Sequence, residues 1–248
     1  MMVSHKISPK IDYSNPWHSS NQDAWLEKGP ARHHNKKRIS YMLSAIERLG
    51  SKNPKILDAG CGDGVITKYL AQVPGARVVG VDYNSLRLRR AKKILPNVEF
   101  KVGNLRRLSF KDGSFDVVVA HHVLEHIKND TAILRELSRV VKRKGIIIIG
   151  VPNERSVIAN IRDHVIQRNI LANTDHVNFY DLDSLSRKIE GVRGLKVVEK
   201  KAAGGLIVPH HGAHMVMIRF KPFYDLLHAL AQILPLIADS IFVVARKE

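Results

Sequence analysis

Cysteine is all but absent from this chain: among 248 residues there is one, Cys61. That rules out an internal disulfide and fits a reducing compartment. Long apolar runs are missing too, and no stretch reaches the ~20 residues that a membrane-spanning helix requires. Met1 to Ser14 holds no apolar core of the kind a secretory signal needs, so the expectation is a cytoplasmic protein with no transmembrane segment. Acids are scarce, 23 against 40 Lys and Arg, which leaves a formal net charge of +17. Such an excess suits a nucleic acid, an anionic membrane surface or an anionic substrate, or it reflects nothing more than solvated helix faces. The clusters from Arg87 to Lys93 and from Lys142 to Lys144 favour the last reading. Both fall in helical patterns, the second at a helix end, where cations suit the dipole. What remains is ordinary for a globular chain: 44% hydrophobic, 25% charged, and long enough for one large domain with a full core.

The chain is organised around Lys55-Ile56-Leu57-Asp58-Ala59-Gly60-Cys61-Gly62-Asp63-Gly64. A short apolar run ends in an acid, glycines follow at alternate positions, and a helical pattern (Val65, Ile66, Tyr69, Leu70) starts at once. The pattern predicts a buried strand, a tight turn and a helix start, the first half of a βαβ unit. Glycine serves where the backbone must take positive φ or let a ligand approach. A dinucleotide fingerprint would bring a pyrophosphate to the helix start. Asp58 and Asp63 would repel it, and they suit a ligand with a cationic end. Asp82 closes the next apolar run, about 20 residues on, where an acid can take ribose hydroxyls.

These residues resemble the glycine motif of class I S-adenosylmethionine-dependent methyltransferases. Phe115-Asp116-Val117-Val118-Val119 followed by Leu124-Glu125-His126-Ile127 resembles the fourth-strand region of the small-molecule branch of that family, the ubiquinone- and menaquinone-pathway-like, type 11 enzymes. The resemblance covers about Lys55 to Asn153. It implies a Rossmann-like, doubly wound, mostly parallel seven-stranded α/β sheet with helices on both faces. It also implies S-adenosylmethionine as cofactor. Asp58, Ala59, Gly60, Cys61, Gly62 and Gly64 would hold the methionine part, Asp82 with Tyr83 the ribose, Asn104 and Leu105 the adenine, and His121 would line the methionine end. Asn104 departs from the commoner Asp there, but its carbonyl is still an acceptor. The rivals are a dinucleotide enzyme and a cofactor-binding partner subunit without catalysis.

The rest of the chain predicts alternating strands and helices, hence parallel strands joined by crossover helices. Strands fall at Lys55 to Asp58, Arg77 to Asp82, Val98 to Gly103, Phe115 to His121 and Gly145 to Val151, with the last two at Leu195 to Lys200 and Ile241 to Arg246. Residues 1–52 form an N-terminal helical segment over the cofactor site, amphipathic from Lys36 to Leu49, with Trp17 and Trp25 as core or pocket wall. Residues 53–248 form the methyltransferase domain. Within it, 203–240 read as an insertion before the last strand, a lid whose apolar helices suit a partly apolar acceptor or the surface of an anionic membrane.

Histidines mark the acceptor side. His122-Val123-Leu124-Glu125-His126 spells the inverted zinc-protease motif, His-x-x-Glu-His. A zinc site needs both histidines on one helical face and a third ligand from another element. Here the motif leaves the end of a parallel strand, so no metal is expected. His176, followed by aromatics before an acid-capped helix start at Asp181, is the best candidate for a proton acceptor or acceptor-orienting group; His122, which could also line the methionine end, is the second candidate. His210, His211 and His214 read as pocket or lid residues. Nucleic-acid chemistry is disfavoured. An exocyclic-amine methyltransferase would carry Asn/Asp-Pro-Pro-aromatic where this chain has Ala120-His121-His122-Val123, and a carbon-5 cytosine enzyme needs a cysteine nucleophile, whereas Cys61 lies in the cofactor loop. The expected activity is methyl transfer to a small-molecule or lipid-like acceptor, with an RNA acceptor as the alternative that only the charge suggests.

Overall fold

The computed structural model describes residues 32–156, 159, 175–206, 220, 222, 225–226, 229–230, 233–234 and 238–248. The expectations for Trp17, Trp25 and the cluster His210, His211 and His214 lie outside these residues.

Helices and strands alternate in the order α1 (Arg32–Leu49), β1 (Lys55–Ala59), α2 (Val65–Leu70), β2 (Arg77–Asp82), α3 (Ser85–Ile94), β3 (Glu99–Val102) and β4 (Phe115–His121). A short 3₁₀ turn (Leu124–His126) leads to α4 (Asp130–Val140), β5 (Val141–Pro152), α5 (Leu182–Glu190), β6 (Leu195–Leu206) and β7 (Ala238–Lys247). The strands form one seven-stranded sheet in the order β3-β2-β1-β4-β5-β7-β6. Pairings from β3 across to β5 are parallel, and β7 runs antiparallel between β5 and β6. The chain reverses its direction of winding between β1 and β4, and crevices at such reversals are where α/β sheets bind ligands.

Continuous apolar runs make these strands because both sheet faces are covered. Ile56, Val117, Val119, Ile146 and Ile148 meet Ile39, Met42 and Ile46 of α1 and Leu70 of α2. Their neighbours Leu57, Val118, Ile147 and Ile149 turn the other way, onto Ile133, Leu134 and Leu137 of α4 and Leu185 and Ile189 of α5. Each such side chain, fully buried, contributes about 1.5–3 kcal/mol. Local signals fix the helix starts. Asn84 caps α3 by accepting from the N–H groups of Leu86 and Arg87, and Asp181 makes a capping box with Ser184 at α5.

The sheet claims both ends of the expected insertion. β6 runs on to Leu206 and β7 begins at Ala238, pairing Ala203 with Ser240 and Leu206 with Ala238. Ala202, Ala203 and Ala238 are buried, and the Gly204-Gly205 pair sits where the register shifts, so it is an irregularity of the ladder. α1 begins earlier than the periodicity suggested and is tied to the last strands: Arg38 pairs with Asp239 at 3.0 Å, and Tyr41 and Arg48 both bond Glu199.

Candidate active site

The loop after β1 is fastened over the end of β2. The N–H groups of Gly60 and Cys61 both donate to the carbonyl of Val81, at 2.7 and 3.1 Å. Asp82 holds the loop from below: its two carboxylate oxygens accept from the N–H of Gly62 at 2.9 Å and of Asn84 at 2.8 Å. Gly60, Gly62 and Gly64 all take positive φ, +81°, +53° and +82°. A Cβ on Gly60 would also stand 2.5 Å from Val123, so the loop and the turn after β4 are in contact at that point.

The acids divide in a way the sequence did not indicate. Asp63 does not face a ligand. It is buried, 1% exposed, and is neutralised by Arg87 at 3.1 Å and Arg90 at 3.6 Å from α3, so the charge argument for a cationic ligand rests on Asp58 and Asp82. Asp58 is 2% exposed and accepts from Thr67 Oγ1 at 2.6 Å. Burial raises its pKa to about 7, against the pull of Thr67 and with a push from Asp82. Burial also holds the Cys61 thiol well above its ordinary value, with Asp58 and Asp82 adding to the effect. It is therefore not a nucleophile at neutral pH.

On the β3 side, Tyr83 is half exposed and Leu105 is buried in the core. The Asn104 side-chain oxygen, expected to face an adenine, accepts from the N–H of Arg106 at 2.9 Å, while its backbone carbonyl accepts from Arg107. Its first task is to shape the loop, as Asn does when it bonds its own backbone two residues on.

The histidines converge beyond β4. His121 stacks on Phe242 with ring centroids 5.6 Å apart and packs against Gly150, so it lies over β5 and β7. His122 takes a φ of +54°, uncommon outside glycine, and its Nδ1 stands 3.1 Å from Glu125 Oε1. Burial, with Arg38 second, pushes the His122 pKa well below its ordinary value, so its ring is neutral. His176 comes from a distant part of the chain to the same place. Its segment is laced to the turn: the N–H groups of Val177 and Asn178 donate to the Glu125 carbonyl, and Asn178 Nδ2 donates to the carbonyls of Leu124 and Ile127. His176 Nδ1 meets Glu154 at 2.7 Å, and its ring stands edge-on to His126 at 4.8 Å. Burial draws the His176 pKa down, but Glu154 outweighs it and the net shift is upward. The same segment lines a cavity of about 300 Å³ with Arg155, Phe179, Tyr180 and Lys188 in its wall. Thus His122 and His176, predicted separately, share one site. Glu125, His126 and Glu154 stand there too, and the sequence assigned a role in the site to none of them. The His-x-x-Glu-His spelling was the one signal for the first two.

Comparison with known proteins agrees with this geometry. Residues 57–149 match the methyltransferase domain family. The chain carries a class I S-adenosylmethionine-dependent methyltransferase domain of the type 11 branch. S-adenosylmethionine is the cofactor of that family. The 2-methyl-6-phytyl-1,4-hydroquinone methyltransferase of Synechocystis is 31% identical over 141 residues, which are 54% of this chain and 44% of that protein. A demethylmenaquinone methyltransferase of Chlorobaculum parvum is 36% identical over 96 residues, 39% of this chain and 40% of that one. The chain therefore matches less than half the length of these relatives. In fold, it superposes on a chain of the complex between the Haloferax volcanii Trm112 methyltransferase activator and its methyltransferase with a TM-score of 0.64. That match is 18% identical and covers 93% of this chain and 96% of the other. Among the described residues no helix is long and apolar enough to cross a membrane.

Proposed function

We propose that this protein transfers the methyl group of S-adenosylmethionine to a small-molecule or lipid-like acceptor. The observation that carries this reading is the contact between the two halves of the site. Val123, which abuts Gly60 of the loop, is flanked by His122 and leads into the turn holding Glu125 and His126. A loop shaped for the cofactor and a cluster of proton-handling side chains thus share one wall.

The residues present fit the cofactor. The glycine turn takes backbone angles that other residues rarely reach, and Asp58 is a buried acid that a cationic group would stabilise in its charged form. S-adenosylmethionine supplies, when bound, an already activated methyl on a sulfonium. The chain's own residues therefore align and enclose more than they activate. Asp82 keeps the loop in place, and we assign it to the ribose hydroxyls as well, since a carboxylate has acceptor capacity beyond the two N–H groups it already takes. Asn104 and Leu105 border the place we assign to the adenine, and Tyr83 adjoins the ribose. Among the histidines, His176 with Glu154 is the group we assign to orienting the acceptor or receiving its proton, and neutral His122 stands beside it. His121, turned onto β5 and β7, serves the wall of the site. The relatives that act on a phytyl hydroquinone and on demethylmenaquinone support an acceptor with a ring hydroxyl and an apolar tail.

The test is calorimetric titration with S-adenosylhomocysteine, followed by turnover on a prenylated hydroquinone and on mixed RNA. Wild type should bind, and Asp82→Asn should bind about 10- to 100-fold more weakly through loss of charge-assisted bonds of roughly 1.5–3 kcal/mol. Absence of wild-type binding overturns the proposal. Unchanged affinity in the variant removes Asp82 from the ribose. Turnover on RNA alone replaces the acceptor class.

A further inference from the structure

We propose that Glu125, His126 and His176 form a binding site for a divalent transition-metal ion. Each offers one ligand atom, and the three atoms lie within 4.8 Å of one another. The set comes from two elements, the turn after β4 and the segment before α5, which backbone bonds clamp together before any ion arrives.

Two further features distinguish this cluster from a chance meeting of side chains. The first is the outer layer. His126 Nδ1 is 3.1 Å from Asp175 and His176 Nδ1 is 2.7 Å from Glu154, so each ring is oriented by a carboxylate on one nitrogen. On His126 the other nitrogen, Nε2, looks toward Glu125 Oε1 at 3.9 Å. A carboxylate behind a ligating imidazole is the usual support of a metal-binding histidine, fixing its tautomer and raising its basicity. The second is Glu125 itself. Its side chain is completely buried, yet neither carboxylate oxygen has an aligned hydrogen-bond donor. His122 Nδ1 is near enough at 3.1 Å but not aligned. A buried carboxylate without partners is costly, and a cation is one of the few things that relieves it.

Two imidazoles and one carboxylate suit zinc, iron(II), cobalt or nickel better than magnesium or calcium, which prefer oxygen. Ligands about 2.0–2.1 Å from zinc stand roughly 3.4 Å apart in a tetrahedron, so the set must draw together on binding. His126, 36% exposed on its 3₁₀ turn, is the least enclosed of the three ligand side chains, and it closes on Glu125 from 3.9 Å. The motif in the sequence named His122 as a ligand. Its left-handed backbone gives it a different place, and the second histidine is His176. Three protein ligands leave a position open, as in catalytic metal sites. This last point rests on the proposed methyl transfer: an ion here would draw in an acceptor hydroxyl and favour release of its proton to water, with His176 orienting the acceptor through the metal.

The experiment uses the full chain, stripped with a chelator and titrated with cobalt(II), read by visible absorption, and with zinc, read by calorimetry. S-adenosylhomocysteine affinity is measured on the same samples. We expect one saturable ion per chain. His126→Ala and His176→Ala should each weaken it more than 100-fold, and Glu154→Gln by about 10- to 100-fold through the outer layer. S-adenosylhomocysteine should bind throughout. His126→Ala is the primary arm, because its exposed ring can be removed without opening the core. No saturable ion in a chain that binds S-adenosylhomocysteine overturns the metal site and leaves the methyltransferase reading standing. With 13 histidines in the chain, an ion that persists at wild-type affinity in the His126→Ala/His176→Ala variant sits elsewhere, and overturns it too.

Discussion

Replacing Asp58 by Asn should flatten the dependence of stability on pH. The carboxyl lies at the end of β1, 2% exposed, with Thr67 as its hydrogen-bond donor, and burial lifts its pKa from 3.8 to about 7. A folded-state value above the unfolded one means the native protein holds a proton that the unfolded chain has released. The stabilising contribution is complete below about pH 4, declines as pH rises, and is gone above about pH 7. Between pH 5 and 7 the loss is two pH units at about 1.36 kcal/mol each, or roughly 2.7 kcal/mol. For a chain of this size that is about 5–10 °C in melting temperature. Asn has nearly the same shape, can still accept from Thr67, and cannot ionise. The melting temperature of the variant relative to wild type should therefore climb by that amount between pH 5 and 7 and then level off. Thermal melts across pH 5 to 8 measure it. Parallel curves for the two proteins would show that Asp58 keeps its ordinary pKa in the fold, and the electrostatic account of the loop would be wrong.

Two other outcomes follow from the surface. Several surface cations are already paired, Arg87 and Arg90 with Asp63, Lys142 with Asp116, and Arg139 with Asp112 and Glu136, so mixed RNA should bind weakly and release by physiological salt. The log–log slope is about −0.7 per phosphate neutralised, and tight binding that survives there would promote an RNA acceptor. Leu226, Leu230 and Ile233 are 55%, 41% and 74% exposed at three- and four-residue steps. Changing all three to Ser should keep melting temperature and S-adenosylhomocysteine affinity near wild type while lowering association with anionic liposomes or turnover on a prenylated acceptor. A fall in melting temperature of more than about 5 °C would instead make this face part of the core.

Legibility in the sequence followed the kind of interaction that builds each part. Strands buried on both faces write themselves as apolar runs, and β1, β2 and β4 were found at or within a residue of their ends. β6 and β7 were read too short because Ala202, Ala203 and Ala238 are small rather than apolar-rich, and a glycine pair looks like a turn when it is in fact a register shift. Asp63 was misread for a related reason. Its position in the loop is visible, but the two arginines that neutralise it sit on α3, and nothing local says which way the carboxylate turns. For Asn104, expected to face the adenine, the fold adds a bond that the sequence did not show, accepted from a backbone N–H two residues on.

The two halves of the candidate site differ in the same respect. The cofactor half is made mostly of backbone: three glycines at positive φ, two N–H groups on the Val81 carbonyl, and one carboxylate closing the loop. Glycine spacing encodes such a shape directly, because few other residues reach those angles. The acceptor half is made of side chains from three separated stretches, at 121–126, at 154 and at 175–176, and its meaning lies in which nitrogen faces which oxygen. That information is not periodic and has no local signature beyond a five-residue spelling that leaves His176 out. This is why the domain was readable from residues 55–64, whereas the acceptor end required the chain to be folded first.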